Sequence, residues 1–178
     1  MDRRSSDVAD GAGRGSFLGD VSQVCVVTSH FMKTVQSFVQ IGISPWRLMR
    51  LGPHNMTDQV YRGQPAEYQM RVGLAKCGRT EWEVIEPISG PSIHQDWLAA
   101  QGDGVHHVLM RSREVNFDDR LRLAEDRGLR CVQSGNWGGI RFAYLDTNDM
   151  IGAFIELVDI PADLSLPEPD EWYPYKPA

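Results

Sequence analysis

Residues 104–110 read Gly-Val-His-His-Val-Leu-Met, and the rest of the chain can be placed around this stretch. It contains two adjacent histidines, His106 and His107, in an apolar run that begins at a glycine. A short apolar run bounded by Gly and Asp predicts a buried strand. Because side chains alternate across a strand, we expect His107 to face the inside of the fold and His106 to pack on the opposite side.

The composition predicts a globular protein of one domain, or of two small ones that share a core. The chain has 178 residues, of which 42% are hydrophobic and 24% are charged, and this length allows a sizeable core. The net charge of -6 argues against a nucleic-acid partner, and no apolar run approaches the ~20 residues of a membrane span. Three separated cysteines without a C-x-x-C pair predict a reducing, cytoplasmic compartment.

The same order of elements is predicted twice along the chain. Each unit begins with an apolar strand, continues with a helix that carries one apolar stripe, and ends with three strands. We divide the chain into a disordered N-terminal tail (1–19), a first βαβββ module (20–90), a linking helix (91–103), a second βαβββ module (104–160) and an extended C-terminal tail (161–178). One unit alone leaves a sheet face open, so two units are expected to curl around a shared cleft.

Three segments are expected to lack regular structure. Residues 51–66 contain Gly-Pro together with further Gly, Asn and Asp, which is typical of a loop, and we expect this loop to lie over a site. Residues 134–139 are expected to form a Gly-rich turn. The C-terminal tail at 161–178 is rich in Pro, Glu, Trp and Tyr and is expected to wrap the surface.

Four polar side chains stand at matching positions of the two predicted units. Gln23 and His107 lie near the start of the first strands, whereas Glu83 and Glu156 lie in the last strands between apolar neighbours. A polar group inside an apolar strand costs roughly 2–7 kcal/mol unless it is satisfied. Two carboxylates in one cleft repel each other unless a cation lies between them. The matching positions therefore favour a site where the four side chains converge.

A divalent metal ion would satisfy this set of side chains. One imidazole, one amide oxygen and two carboxylates are mostly hard ligands, and they suit an octahedral ion with open water positions, namely Zn, Ni, Co, Mn or Mg. Each residue alone has a simpler interpretation, because a strand Glu usually faces solvent and a His pair is commonly packed in a core. The residue pattern by itself leaves both interpretations open.

Three stretches give the chain a family likeness. Residues 72–87 (VGLAKCGRTEWEVIEP), 104–108 (GVHHV) and 153–158 (AFIELV) are similar to the hairpin, the start of the second unit and the last strand of methylmalonyl-CoA epimerases. Over residues 21–159 the paired units resemble the vicinal oxygen chelate superfamily, which includes glyoxalases, bleomycin-resistance proteins and extradiol dioxygenases. The resemblance implies an α+β fold in which two βαβββ modules form a curled, half-open mixed sheet around a shared metal-binding cleft.

The resemblance also implies a set of metal ligands, one from each of four strands. Carried over, these are Gln23, Glu83, His107 and Glu156. The first ligand of the epimerases is a histidine, whereas a Gln, Glu, His, Glu set resembles glyoxalase I of the zinc-using kind. Extradiol dioxygenases need two His and one carboxylate around iron, and only one His is expected on the cleft face. Bleomycin-type binding proteins lack the metal set, so the quartet counts against pure sequestration.

The chemistry that this likeness implies is proton transfer next to a carbonyl. The metal acts as a Lewis acid, and a carboxylate removes the proton. Glu156 is the first candidate for the catalytic base. Glu67 matches the approximate place of the epimerases' other catalytic glutamate, and the alternative for Glu67 is a solvent-exposed loop residue.

We therefore expect a methylmalonyl-CoA epimerase-like isomerase. The alternatives are a glyoxalase I-like lyase that acts on a thiol conjugate, and a non-catalytic resistance protein that binds a drug or metabolite. The expected partner is a small-molecule substrate, an acyl-CoA thioester or a related carbonyl compound. Its anionic groups could meet the basic residues of the first unit, and the alternative is that these residues are simply solvated; they are Arg47, Arg50, Arg62, Arg71, Lys76 and Arg79. A homodimer is expected because dimers are common in the superfamily.

Overall fold

Eleven strands and four helices are present in residues 16–177, the part of the chain that this computed structural model describes. The strands are β1 Asp20–Val27, β2 Trp46–Leu51, β3 Met56–Tyr61, β4 Gln64–Pro65, β5 Gln69–Cys77, β6 Thr80–Ser89, β7 Gly104–Arg111, β8 Cys131–Trp137, β9 Ile140–Leu145, β10 Phe154–Asp159 and β11 Glu171–Tyr173. The helices are α1 Phe31–Gln40, α2 Ile93–Gln101, α3 Phe117–Glu125 and α4 Asn148–Ile151. None of these four helices combines the length and the apolar character that crossing a bilayer requires.

The strands form one mixed sheet in the order β11-β2-β5-β6-β1-β7-β10-β9-β8-β3-β4. Its centre is the antiparallel pair β1 and β7, and each of these strands has a parallel neighbour on its other side, β6 and β10 respectively. The unit β1-α1-β2-β5-β6 is thus repeated as β7-α3-β8-β9-β10. The predicted α+β fold, with two βαβββ units in a curled, half-open mixed sheet, is confirmed.

Apolar cores lie on both faces of this sheet. On the outer face, α1 packs Phe31 in a cluster with Trp46, and α3 packs Phe117 in a cluster with Leu157. On the inner face, α2 contributes Ile93 to the largest cluster, which lines the cleft. Since the outer positions of each strand are covered by helices, the alternate positions are left to build the inside of the cleft.

The prediction that residues 51–66 form a loop is wrong. Strand β3 pairs with β8 of the second unit, and the short strand β4 folds back onto β3. The pairing is irregular between Thr57 and Val60, and Asp58 has a positive φ of 53°. The apolar alternation of a strand is therefore interrupted, and the pairing partner is remote in sequence. The Gly and Pro residues near the ends of the segment made its local sequence resemble that of a loop.

Two other segments are also more regular than predicted. Strand β8 continues to Trp137, so the turn expected at 134–139 is confined to Gly138 and Gly139, both of which have positive φ. In the C-terminal tail, β11 pairs with β2 at the edge of the first unit. The carboxylate of Asp170 accepts a 2.7 Å hydrogen bond from the backbone N–H of Arg50 and holds this segment in place. The chain thus returns from the second unit to the first.

The disordered tail predicted for residues 1–19 lies mostly outside the described residues. At its end, Phe17 and Leu18 pack against the core beneath α3. The guanidinium of Arg127 lies 4.7 Å from the centroid of the Phe17 ring, a favourable cation–π distance. These contacts cover the outer face of the second unit and do not reach the cleft.

Candidate metal centre

The register of the central strands directs one set of side chains into the cleft. Cys25 of β1 is opposite His107 of β7 and opposite Glu83 of β6. Gln23 is opposite Leu109, which is in turn opposite Glu156 of β10. Directly opposed residues share a face of the sheet, so the two carboxylates, the imidazole and the amide all project to the inside. All four of these polar side chains are buried.

Two carboxylates converge on one nitrogen of His107. Its Nε2 lies 3.0 Å from Oε2 of Glu83 and 3.1 Å from Oε2 of Glu156. An imidazole nitrogen carries at most one proton, so it can donate to only one of the two oxygens. The contact with Glu83 is a hydrogen bond, whereas Oε2 of Glu156 is fully buried and has no hydrogen-bond partner among residues 16–177. An orphaned buried carboxylate oxygen marks a place where a cation fits.

The electrostatics of this group also favour a cation. Burial by itself would lower the pKa of His107, but the adjacent carboxylates of Glu156 and Glu83 outweigh burial and raise the pKa to about 9. Burial raises the pKa of Glu83, and His107 only partly offsets that effect. The single positive charge of the His107 imidazolium therefore balances one of the two carboxylates. A divalent cation would supply the positive charge that the second carboxylate lacks, so these side chains fit a metal ion.

The other two residues singled out from the sequence lie apart from this convergence. Gln23 is buried on the wall of the cavity that Glu83 and Glu156 also line. Glu67 is exposed and borders a separate shallow hollow next to Pro65. The structure thus brings Glu83, His107 and Glu156 together, places Gln23 beside them, and does not bring Glu67 to them.

The prediction that His106 points away from the cleft is wrong. The pairing of β1 with β7 shifts register between Cys25 and Val26, which is a β-bulge. A bulge breaks the alternation of side chains, because it adds a residue on one strand. Both imidazoles therefore lie on the same side, with Nδ1 of His106 2.8 Å from Nδ1 of His107. Both side chains are fully buried.

Three further side chains lie next to these residues and were not predicted from the sequence. The thiol of Cys25 lies within 4.8 Å of the ligand atoms of Glu83 and His107. Its position two residues after Gln23 on the same strand could have indicated it. His94 of α2 and Tyr144 of β9 pack edge-on against each other, with ring centroids 5.3 Å apart. No local sequence pattern indicates His94 or Tyr144, because they come from elements whose placement depends on the whole fold.

A cavity of about 710 Å³ adjoins the carboxylates. Its inner wall is largely apolar and includes Met49, Met70 and Phe142. The C-terminal segment after β10 closes one side of the cavity and contributes Leu164 and Trp172. The cavity is large enough for a small organic molecule.

Basic side chains line the same cavity away from His107. They are Arg47, Lys76 and Arg111. Glu81 lies among them and forms ion pairs with Arg47 at 2.9 Å and with Lys76 at 3.3 Å. Because the carboxylate of Glu81 is paired with only two of these three cations, this part of the cavity carries excess positive charge.

A family model agrees with the fold. The model, described as the Glyoxalase/Bleomycin resistance protein/Dioxygenase superfamily, matches residues 22–144, which is more than half of the chain. Comparison with curated proteins finds no sequence that matches.

Solved structures with the same architecture include two methylmalonyl-CoA epimerases. A hypothetical protein from Bacillus halodurans aligns with a TM-score of 0.61 at 13% identity, over 83% of this chain and 98% of that chain. The epimerase from Mycobacterium tuberculosis aligns with a TM-score of 0.54 at 16% identity, over 78% and 85%. A variant of the Streptomyces coelicolor epimerase, in complex with 2-nitronate-propionyl-CoA, aligns with a TM-score of 0.56 at 21% identity, over 83% and 99%. At these identities the likeness establishes the fold.

Proposed function

The chain belongs to the glyoxalase/bleomycin resistance/dioxygenase superfamily, and from this premise we propose that it is a metal-dependent isomerase that removes and returns a proton next to the carbonyl of a small acyl thioester. The observation that carries the proposal is the convergence of Glu83 and Glu156 on Nε2 of His107, at 3.0 and 3.1 Å, beside a cavity of about 710 Å³. The epimerase complex with an acyl-CoA analogue supports the choice of substrate class.

We propose that Gln23, Glu83, His107 and Glu156 hold one divalent ion, with Zn, Ni, Co, Mn and Mg as candidates. When bound, such an ion polarises the substrate carbonyl as a Lewis acid. The charge of the site supports this assignment, since two buried carboxylates face one imidazole.

Glu156 is the proposed base. It lines the cavity, and across the strand pair it is opposite Tyr144. One of its carboxylate oxygens would take the proton from the substrate's α-carbon, and a second acid on the opposite face would return a proton to give the inverted product. Burial, followed by the charges of Glu156 and Glu83, raises the pKa of Tyr144, so its hydroxyl keeps its proton and can donate a hydrogen bond to the substrate.

The basic side of the cavity supports an anionic substrate. Arg111 lines the cavity and forms no ion pair with another residue of the described part, 16–177. Arg47 and Lys76 share the single carboxylate of Glu81. Phosphate or carboxylate groups of a thioester conjugate would be attracted to this side, while its acyl group would contact the apolar wall.

Deuterium uptake from solvent tests this proposal. Protein loaded with zinc is incubated with methylmalonyl-CoA in deuterated buffer, and loss of the α-proton is followed by proton NMR. We expect exchange by the wild type and no exchange by Glu156→Gln at unchanged circular dichroism. Glu125→Gln, which changes an exposed carboxylate of α3, is the matched control and should exchange like the wild type.

If protein loaded in turn with each of the five candidate ions shows no exchange, the isomerase proposal is overturned. If exchange persists in Glu156→Gln, the role of that residue is overturned. Glu67→Gln tests the second carboxylate predicted from the sequence. If this variant exchanged the proton without inverting the carbon, Glu67 would be the acid on the opposite face.

The Gln, Glu, His, Glu set favours one second candidate, a glyoxalase I-like lyase. Its test substrate is the hemithioacetal of glutathione and methylglyoxal. Turnover of this compound without α-proton exchange in methylmalonyl-CoA would assign the lyase. If the metal-loaded protein binds methylmalonyl-CoA or the hemithioacetal and converts neither, a binding role would replace both enzyme proposals.

A further inference from the structure

His106 contacts His107 on the side away from the two carboxylates. The two Nδ1 atoms are 2.8 Å apart, which is hydrogen-bonding distance, while Nε2 of His107 faces Glu83 and Glu156. The contact exists because the β-bulge turns both imidazoles to the same side of β7. His107 is therefore engaged at both of its ring nitrogens.

Aromatic packing fixes the orientation of the His106 ring. Phe154 stacks on it with a centroid distance of 4.9 Å and an interplanar angle of 29°. Trp97 meets it edge-on at 5.2 Å, and His94 lies at 4.8 Å. A ring enclosed in this way cannot turn its Nδ1 aside without displacing its neighbours. The direction of the bond to His107 is thus set by the packing beneath α2.

The chemistry of this bond assigns the proton. A hydrogen bond between two Nδ1 atoms needs one N–H and one lone pair. For Nε2 of His107 to offer its lone pair to a cation, the proton of a neutral His107 must lie on Nδ1, which then donates to Nδ1 of His106. We propose that His106 is a positioning residue that fixes this tautomer and the ring orientation of His107. The proposal rests on the metal site of the proposed function.

A histidine acceptor is unusual in this place. Ligating histidines generally donate their second N–H to a carboxylate, a backbone carbonyl or water. Here the acceptor is a neutral imidazole, which leaves the proton of His106 on its Nε2, an atom without a hydrogen-bond partner among residues 16–177. A carboxylate in this place would have added a third negative charge to a cluster that already holds two.

The same atoms could also be read as a three-histidine ion site. One ring nitrogen each of His94, His106 and His107 lies within 4.8 Å of the others. However, the Nδ1 atoms of His106 and His107 already bond to each other at 2.8 Å. An ion there would have to break this bond, so we assign the pair to positioning and treat ion binding as an outcome of the test.

The test compares three variants by zinc titration calorimetry and by ¹⁵N NMR of the histidine rings. His106→Phe keeps an aromatic ring and removes the acceptor, so we expect zinc affinity to fall about 10–100-fold, as for the loss of other outer-shell partners. His106→Asn places an amide oxygen near the position of Nδ1 and should restore most of the affinity. His94→Phe, the matched control, alters the same packing and should bind zinc like the wild type.

The NMR experiment separates this proposal from the metal site itself. We expect Nδ1 of His107 to be protonated in the zinc-bound wild type and in zinc-bound His106→Asn. The positioning role would be overturned if His106→Phe bound zinc with wild-type affinity. It would also be overturned if His106→Asn and His106→Phe bound zinc equally weakly. A second zinc equivalent that is lost in His94→Phe would replace it with the three-histidine site. No zinc binding by wild type would overturn the metal site. A single ring proton on Nδ1 of His107, measured above pH 9 where this imidazole is neutral, would leave the tautomer assignment standing.

Discussion

The two ends of the cleft, marked by His107 and Gln23, differ in chemistry although the repeat places these two residues at equivalent positions. Gln23 is opposite Leu109 and Cys25 is opposite His107, so Gln23 and His107 occupy matching places on the two central strands. His107 is fully buried under α2, whereas Gln23 lines the open cavity. The difference teaches that the repeat fixes where side chains can meet, while the surroundings decide which end is enclosed with buried charge and which end opens to the cavity.

The largest effect is expected from removing the imidazole at the buried end. His107→Leu leaves Glu83 and Glu156 without a positive partner, and breaking a buried charge pair costs about 3–5 kcal/mol. We expect the free energy of unfolding of the metal-free protein, measured with urea at pH 7, to fall by about this amount. A loss below about 1 kcal/mol would show that the two carboxylates do not depend on His107.

The pH dependence of the free energy of unfolding should be determined by His107, at the buried end of the cleft. The pKa of His107 is about 9 in the folded protein, above its ordinary value of about 6.5. Its contribution to stability is thus fully present below about pH 6.5 and is lost as the pH rises towards 9. We expect the urea midpoint of the metal-free protein to fall across this window, and the fall to disappear in His107→Leu. A midpoint that rises between these pH values would contradict the assignment.

The matching residue at the open end should matter much less for folding. Gln23→Leu removes a neutral amide, so no buried charge loses its partner, and we expect the free energy of unfolding to change by about 1 kcal/mol or less. Zinc affinity, measured by calorimetry, should nevertheless decrease, because one proposed ligand is lost. If Gln23→Leu destabilised the protein as much as His107→Leu, the two ends would not differ as described.

The smallest effect is expected at the basic side of the cavity. Arg111→Ala removes an exposed cation, and such groups contribute about 0.2–1 kcal/mol, so binding of methylmalonyl-CoA should weaken by a few-fold. The loss should shrink at high salt because the interaction is screened. Arg113→Ala, at an exposed position that does not line the cavity, is the matched control. Equal effects of both variants would indicate a general charge effect.

Strand periodicity was sufficient to predict the central part of the candidate site. Glu83 and Glu156 alternate with apolar residues that face outward, so a period of two already directs both carboxylates inward. The same rule failed at His106, because a bulge changes the alternation and depends on the partner strand. Sequence likeness placed Glu67 only approximately, and the exposed end of a loop is where such a placement is least secure.

Contacts between remote segments could not be predicted from local patterns. Strand β3 pairs with β8 of the other unit, and β11 returns to β2 at the far edge of the sheet. Both segments contain residues typical of loops, and their strand conformation depends on edge strands formed elsewhere in the chain. The closed side of the cavity, with Leu164 and Trp172, follows from that return and was not predicted.

The metal content of the protein tests the central claim most directly. Metal-free protein is dialysed against zinc, the excess is removed, and bound zinc per chain is measured by mass spectrometry. We expect one equivalent in the wild type and none in a Glu83→Gln, Glu156→Gln double variant with unchanged circular dichroism. Wild-type protein that retains no zinc after this treatment, or a double variant that retains the full equivalent, would contradict a metal centre at these carboxylates.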